Sequence, residues 1–283
     1  MKKTFLPLGA VMAVALVSTG CAKLESRDNL NKGVTAYKNA KYAEASSFFR
    51  KAIELDPDNP NARLYLATAY MVQWIPGADS PDNNEFAKNA RNEFNKVLEK
   101  DPKEKVALAS LASLAFNEGK STPAAEATLA KRLEKFEEAK KWYNKLLEVD
   151  SSDKTAYYSL GVIAWENWYP ALMQARSSMS MKPEDPGPLK DKKVRAELRE
   201  KYGATIEEGI KNLMKAIEQD KEYDDAMAYV NLLIRERADL ADTKEAYEKD
   251  VEVANDWVQK ALDAKKAKAA RQPTQTGIVQ ESK

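Results

Sequence analysis

Few residues in this chain are of types that do chemistry, and their spacing restricts them further. Adjacent carboxylates occur at Glu137-Glu138 and Glu207-Glu208, the kind of pair a glycosidase uses as acid and nucleophile. Both lie in strongly charged stretches, where solvated acidic pairs are the ordinary outcome. The run Asp79-Ser80-Pro81-Asp82-Asn83-Asn84-Glu85 gathers oxygen ligands. It lacks the glycine and alternate spacing of a calcium loop, so it reads as a helix start. Gly119-Lys120-Ser121 resembles part of a phosphate loop without the upstream glycine. Histidine is absent, which removes Ser-His-Asp and Cys-His nucleophiles, imidazole metal sites and imidazole acid–base catalysis together. The one cysteine, Cys21, excludes an internal disulfide and any multi-cysteine metal site. With 45 basic against 44 acidic side chains, nothing concentrates positive charge for nucleic acid. These counts predict a protein that binds rather than catalyses, with no metal and no cofactor.

The elements around Cys21 come next. Met1-Lys2-Lys3 is a positive start, residues 5–17 are almost unbroken apolar sequence, and Ser18-Thr19-Gly20 supplies small residues before the cysteine. The apolar run is shorter than the roughly 20 residues of a membrane-spanning helix, and the whole pattern is that of a secretory signal peptide. Its end, Val17-Ser18-Thr19-Gly20-Cys21, resembles a bacterial lipoprotein signal. The resemblance implies that residues 1–20 are removed and that Cys21 carries lipid, palmitate included, on its sulfur and amino group. Residues 21–25 would form the lipidated start and a short tether. Each buried CH₂ is worth about 0.8 kcal/mol, so several acyl chains hold a protein on a bilayer durably. Ala22 after the cysteine implies sorting to the outer membrane, facing the periplasm of a bacterial cell envelope.

The rest of the chain repeats. Gly33 is followed by Ala45 twelve residues on, Phe49 four later, Ala52 three later and Pro57 five later. This spacing resembles the tetratricopeptide repeat, a helix–turn–helix unit of about 34 residues with small side chains where its two helices touch. Weaker copies carry Ala67, Ala90 and Phe94; Ala112, Ala139 and Tyr143; Gly161, Gly209 and Leu213; and Val230, Ala254, Val258 and Ala261. The later copies hold extra residues at about 73–84, 120–135, 167–202 and 237–247. No stretch alternates β-branched residues. The expected fold is therefore all-α: a right-handed α-solenoid of about five such hairpins over residues 26–268, with a long insertion at about 167–203. Thr122-Pro123, Thr205-x-x-Glu208 and Asp242-x-x-Glu245 read as helix starts. Residues 269–283 turn polar and aperiodic, as a disordered tail does.

A second face remains on the first helix of each hairpin. Tyr158, Val162 and Trp165 form an apolar stripe opposite the one that must meet the partner helix. Something has to cover it: neighbouring repeats, the insertion, or a ligand. In the tetratricopeptide family this face lines a concave peptide-binding groove. The equivalent positions here are Leu30, Val34 and Tyr37; Leu64, Thr68 and Met71; and Ala109, Ser113 and Phe116. The partner-binding candidates are thus Tyr37, Met71, Phe116, Tyr158, Val162, Trp165 and Trp168, suited to an amphipathic helix or an extended apolar peptide. Pro170 should interrupt the helix that carries Trp165, Trp168 and Tyr169. Met173, Met179 and Met181 beyond it either contact a partner or fold back and plug the groove. The basic stretch from Lys190 to Lys201 keeps Val194, Leu198 and Tyr202 in register, as a docked helix with a solvated charged face does. Together these features predict a membrane-anchored scaffold or adaptor for a protein or peptide partner in envelope assembly or secretion. The alternative is a glycan- or small-ligand-binding envelope lipoprotein with Trp165, Trp168 and Tyr169 as a stacking platform.

Overall fold

The computed structural model of the chain describes residues 9–271, with side chains described from Cys21 onward except that of Glu126. Met1–Leu8 of the expected signal peptide and residues 272–283 of the expected tail lie outside the described residues. Among the described residues ten helices follow one another: α1 Gly9–Lys38, α2 Tyr42–Leu55, α3 Pro60–Gln73, α4 Pro81–Lys100, α5 Lys105–Ser121, α6 Glu126–Val149, α7 Lys154–Ser178, α8 Lys192–Gln219, α9 Asp224–Ala238 and α10 Lys244–Arg271. They pair consecutively into five helical hairpins, and there is no strand among the described residues. The expected all-α helical-repeat class is the observed one. No helix among the described residues is long and apolar enough to cross a membrane. The chain divides into two compact units, Met1–Lys145 and Leu146–Lys283.

Small residues bring the helices of each pair together for a steric reason. A Cβ on Gly33 would stand 2.4 Å from Phe49 Cε1, one on Gly119 2.8 Å from Phe136, and one on Gly161 2.3 Å from Leu213 Cγ. Ala45, Ala52, Ala67, Ala90, Ala112, Ala139 and Ala216 are fully buried beside these contacts. Apolar burial at about 25 cal/mol per Å² then drives the pairing. Gly161→Ala gives a direct test. Alanine is the better helix former by about 1 kcal/mol, but overpacking a filled contact costs about 1–3 kcal/mol or more. A net loss of stability in urea unfolding is expected, and a gain would show that Leu213 yields without cost.

The segments expected as insertions are mostly helix. Residues 167–203 lengthen α7 and α8 and leave only 179–191 between them. Pro170 lies inside α7, which continues to Ser178. An interior proline forfeits one ladder bond and crowds the preceding turn. Here Trp168, Leu172, Ala175 and Arg176 are all buried around it, so packing on both sides holds the helix through the defect. Thr205 is likewise interior to α8 and starts nothing. Thr122 closes α5 rather than opening α6, its N–H donating to the Glu118 and Gly119 carbonyls. Thr243, not Asp242, caps α10, accepting from Ala246 N at 3.1 Å. Residues 21–25 lie within α1, and α10 runs on through Ala269 to Arg271.

Candidate functional site

In the first unit the candidate surface is built on α1, α3 and α5. Leu30, Val34 and Tyr37 are half-buried against the α1–α2–α3 core. Tyr37 meets Tyr42 edge-on at 5.3 Å, and burial pushes its phenol pKa up, with Tyr42 adding to the rise. Phe116 tilts against Phe136 at 6.1 Å and meets Tyr143 edge-to-face at 6.4 Å. The Lys120 ammonium stands 5.7 Å from the Phe116 ring centroid.

The most open part of this surface is on α3. At about 100° per residue, Leu64, Tyr65, Thr68, Met71 and Val72 share about a third of the helix circumference, and Ile75 follows in the loop just past the end of α3. Leu64, Thr68 and Met71 are half-buried, whereas Tyr65, Val72 and Ile75 are 40%, 44% and 64% exposed. Apolar residues exposed side by side on a surface helix are a feature that interaction sites use. Asn83 fixes the loop at its end. The Asn83 side chain accepts from Ile75 N at 2.7 Å and donates to the Ile75 and Ala78 carbonyls at 2.9 and 2.8 Å. The residues expected to start α4 therefore also hold the apolar tip of the α3 face in place.

In the second unit the corresponding stripe is covered by the next hairpin. Tyr158 packs on Tyr223 at 5.1 Å and on Tyr229 at 5.7 Å. Trp165 stacks on Tyr169 at 4.7 Å, meets Tyr229 edge-on at 5.7 Å and donates its Nε1–H to Glu236 Oε1 at 2.9 Å. Burial raises the Tyr158 and Tyr229 phenols, and it pushes that of Tyr223 up to about 12, with Asp225 and Asp220 adding to the rise. Val162 and Trp168 are 1% and 0% exposed. The reason is the register of α7: Trp168 points into the α7–α8–α9 core, where it lies against Tyr202 at 5.5 Å, and Val162 is buried as well. Neither offers surface to a partner, and a three-ring stacking platform loses its central member.

Met173, Met179 and Met181 neither plug the stripe nor stand free of the fold. Met181 is buried, Met173 and Met179 pack on the same core, and the 179–191 loop is clasped to the α9–α10 turn. Arg176 donates to the Lys182 carbonyl at 3.2 and 2.9 Å, to the Asp185 carbonyl and to the Asp239 carboxylate. Leu189 N donates to the Asp239 carbonyl at 3.0 Å. Arg195 donates to the Leu189 carbonyl, and Arg199 to the Leu240 carbonyl and Asp242. Two arginines expected on a solvated face are thus structural clamps. Arginine suits this work because its planar fork supplies several donors to fixed carbonyls.

The chemical alternatives find their counter-ions. Glu138 pairs with Arg91 and Lys135, and Glu207 pairs with Arg237. Asp79 accepts from Asn84 Nδ2 at 3.2 Å. No group of three or more metal-binding side chains occurs among the described residues.

This repeat geometry agrees with the comparisons. Two tetratricopeptide-repeat families match the chain, at residues 36–73 and 124–167. No curated protein sequence matches it. A crystal structure of MamA superposes with a TM-score of 0.50 at 14% identity, covering 88% of this chain and 96% of that one. The MamA fragment "41-end" from Desulfovibrio magneticus RS-1 gives 0.51 at 14%, covering 86% and 96%. A MamA RS-1 double mutant gives 0.52 at 14%, covering 87% and 97%. Likeness at that identity concerns the fold, and function has to be argued from sites. The chain is a helical-repeat protein in which residues 36–73 and 124–167 match tetratricopeptide repeats.

Proposed function

We propose that this protein is a non-catalytic interaction scaffold, held at a bacterial envelope membrane by lipid on Cys21, whose first unit receives an apolar peptide or helix. The observation that carries this reading is the α3 face and the loop just past it, where Tyr65, Val72 and Ile75 stay open to solvent beside Leu64 and Met71. Such a face accepts anchors at i, i+3, i+4 and i+7 of an amphipathic helix. Cys21 is exposed, as a lipidated residue must be, and the signal-like sequence before it supports the anchor. Placement in the outer membrane facing the periplasm rests on Ala22.

One experiment with two arms tests the reading. Cys21→Ser should move the protein from the membrane to the soluble fraction, and a variant that still pellets after a high-salt wash would refute the anchor. Val72→Glu with Ile75→Glu should leave the melting temperature unchanged, since both side chains are exposed, and lower recovery of co-purifying envelope proteins at least about tenfold, the scale of a lost apolar anchor. Undiminished recovery of the same proteins would remove α3 as the working surface.

A further inference from the structure

The last hairpin leaves open the positions that the hairpin before it closes. Gly209, Leu213, Ala216 and Ile217 of α8 sit beneath α9. A Cβ on Gly209 would lie 2.6 Å from Ala164 and 2.9 Å from Leu233, and Leu213, Ala216 and Ile217 are 0%, 0% and 7% exposed. The same repeat positions in α10 are Ala254, Val258, Ala261 and Leu262. Ala254 is buried, Val258 and Ala261 are half-buried, and Leu262 is 46% exposed. On α9 the positions equivalent to Tyr158, Gly161 and Trp165 are Ala228, Asn231 and Arg235. Ala228 is exposed, and the other two are partly so. Between α9 and α10 runs a groove of about 250 Å³, lined by Asp225, Ala228, Asn231, Val258, Leu262 and Lys265. It is the seat a following helix would take.

Charge indicates what fills it. Asp225 is at the amino end of the α9 face and Arg235 at the carboxyl end, about 15 Å apart at 1.5 Å per residue. The Arg235 guanidinium donates to Asn231 Oδ1 at 3.3 and 3.2 Å and to Asn255 Oδ1 at 2.7 Å. Neither Asp225 nor Arg235 has an ion-pair partner among the described residues. Lys265 lies at the Asp225 end of the groove. The α9 face, negative at one end and positive at the other with apolar residues beside it, is complementary to itself in antiparallel orientation.

We propose that a second copy of this chain docks here. A two-fold axis crosses the helices near Asn231 and sets α9 against α9 of the other copy. Asp225 of each copy then faces Arg235 of the other, and Leu262 and Val258 are buried from both sides. Closed two-fold association uses one self-complementary patch and leaves no open edge for further growth. This inference is independent of the reading of α3, which lies in the other unit.

Sedimentation equilibrium of the purified full chain tests it. The wild type should show a monomer–dimer equilibrium. Leu262→Asp, which would bury two acids per dimer, should weaken it at least about 100-fold. Asp225→Arg alone should weaken it about tenfold, and Asp225→Arg with Arg235→Asp should restore it to within about threefold, because the exchanged charges meet again. All the substituted side chains are at least partly exposed, so thermal melts should match the wild type. A wild type that is monomeric at roughly 100 μM would overturn the proposal. A dimer indifferent to Leu262→Asp, or single and double charge variants that are equally weak, would overturn it too.

Discussion

Arg176→Met is expected to cost about 3–5 kcal/mol of folding stability, the scale for removing one partner of a buried ion pair. Arg176 and Asp239 are 4% and 5% exposed, so little water can compensate either. The substitution also strips donors from the Lys182 and Asp185 carbonyls, which hold the 179–191 loop against the α9–α10 turn. Burial raises the Asp239 pKa even with Arg176 opposing it. Without the guanidinium that pKa must rise further, so the deficit of the variant should shrink as the pH is lowered and Asp239 takes up a proton. Adding Asp239→Asn to Arg176→Met should recover part of the loss at pH 7, since the stranded charge is then gone. Urea unfolding of the four members of this cycle measures both effects. A loss below about 1 kcal/mol, the value of an exposed pair, would show that the clasp is loose in solution.

Glu236→Gln should stabilise the protein at pH 8 and leave it nearly unchanged at pH 4.5. Burial pushes the Glu236 carboxyl up to about 8; the Trp165 N–H opposes the rise, and Asp239 adds to it. Trp168 Nε1 faces the same group outside hydrogen-bonding geometry, and Glu236 Oε2 is buried without a donor. A carboxyl raised in this way holds a proton in the folded state that the unfolded chain, titrating near 4.5, releases. Its protonated form is fully tolerated below about pH 4.5, and stability falls as pH rises from there to about 8. At about 1.4 kcal/mol per pH unit the accumulated penalty is roughly 3 kcal/mol at pH 7. Glutamine keeps an oxygen to accept from Trp165 and never ionises, so the stability difference between variant and wild type should widen across that window. Parallel pH profiles would refute the assignment, because every other titrating group cancels in the comparison.

Much of this protein was determined by local sequence. Helix pairing follows from small residues at the right spacing, because Gly33, Gly161, Ala45 and Ala52 leave no other way to bury Phe49 and Leu213 closely. The absence of histidine and of a second cysteine closed most routes to catalysis before any fold was considered. Tyr37, Met71 and Phe116 could be placed on a second helical face by counting alone, and that face is half-open in the structure.

The tertiary structure decided what covers each face. Tyr158, Val162 and Trp165 have the same helical spacing as Leu64, Thr68 and Met71, yet α9 lies across Tyr158 and Trp165 while Val72 and Ile75 stay open beside the second set. Periodicity records which residues share a face and carries no record of the neighbour that packs there. Pro170 read as a stop because proline is judged by its own turn, whereas the helix is held by contacts of Trp168 and Leu172 with distant residues. Arg195 and Arg199 read as solvated because charge alone cannot announce a carbonyl waiting some 40 residues along the chain in one case, or six residues away across a loop in the other. The spacing that builds a helical hairpin is local and repeats, so the sequence displays it. The closure of one hairpin by the next is made between residues far apart in the chain, so only the folded protein shows it.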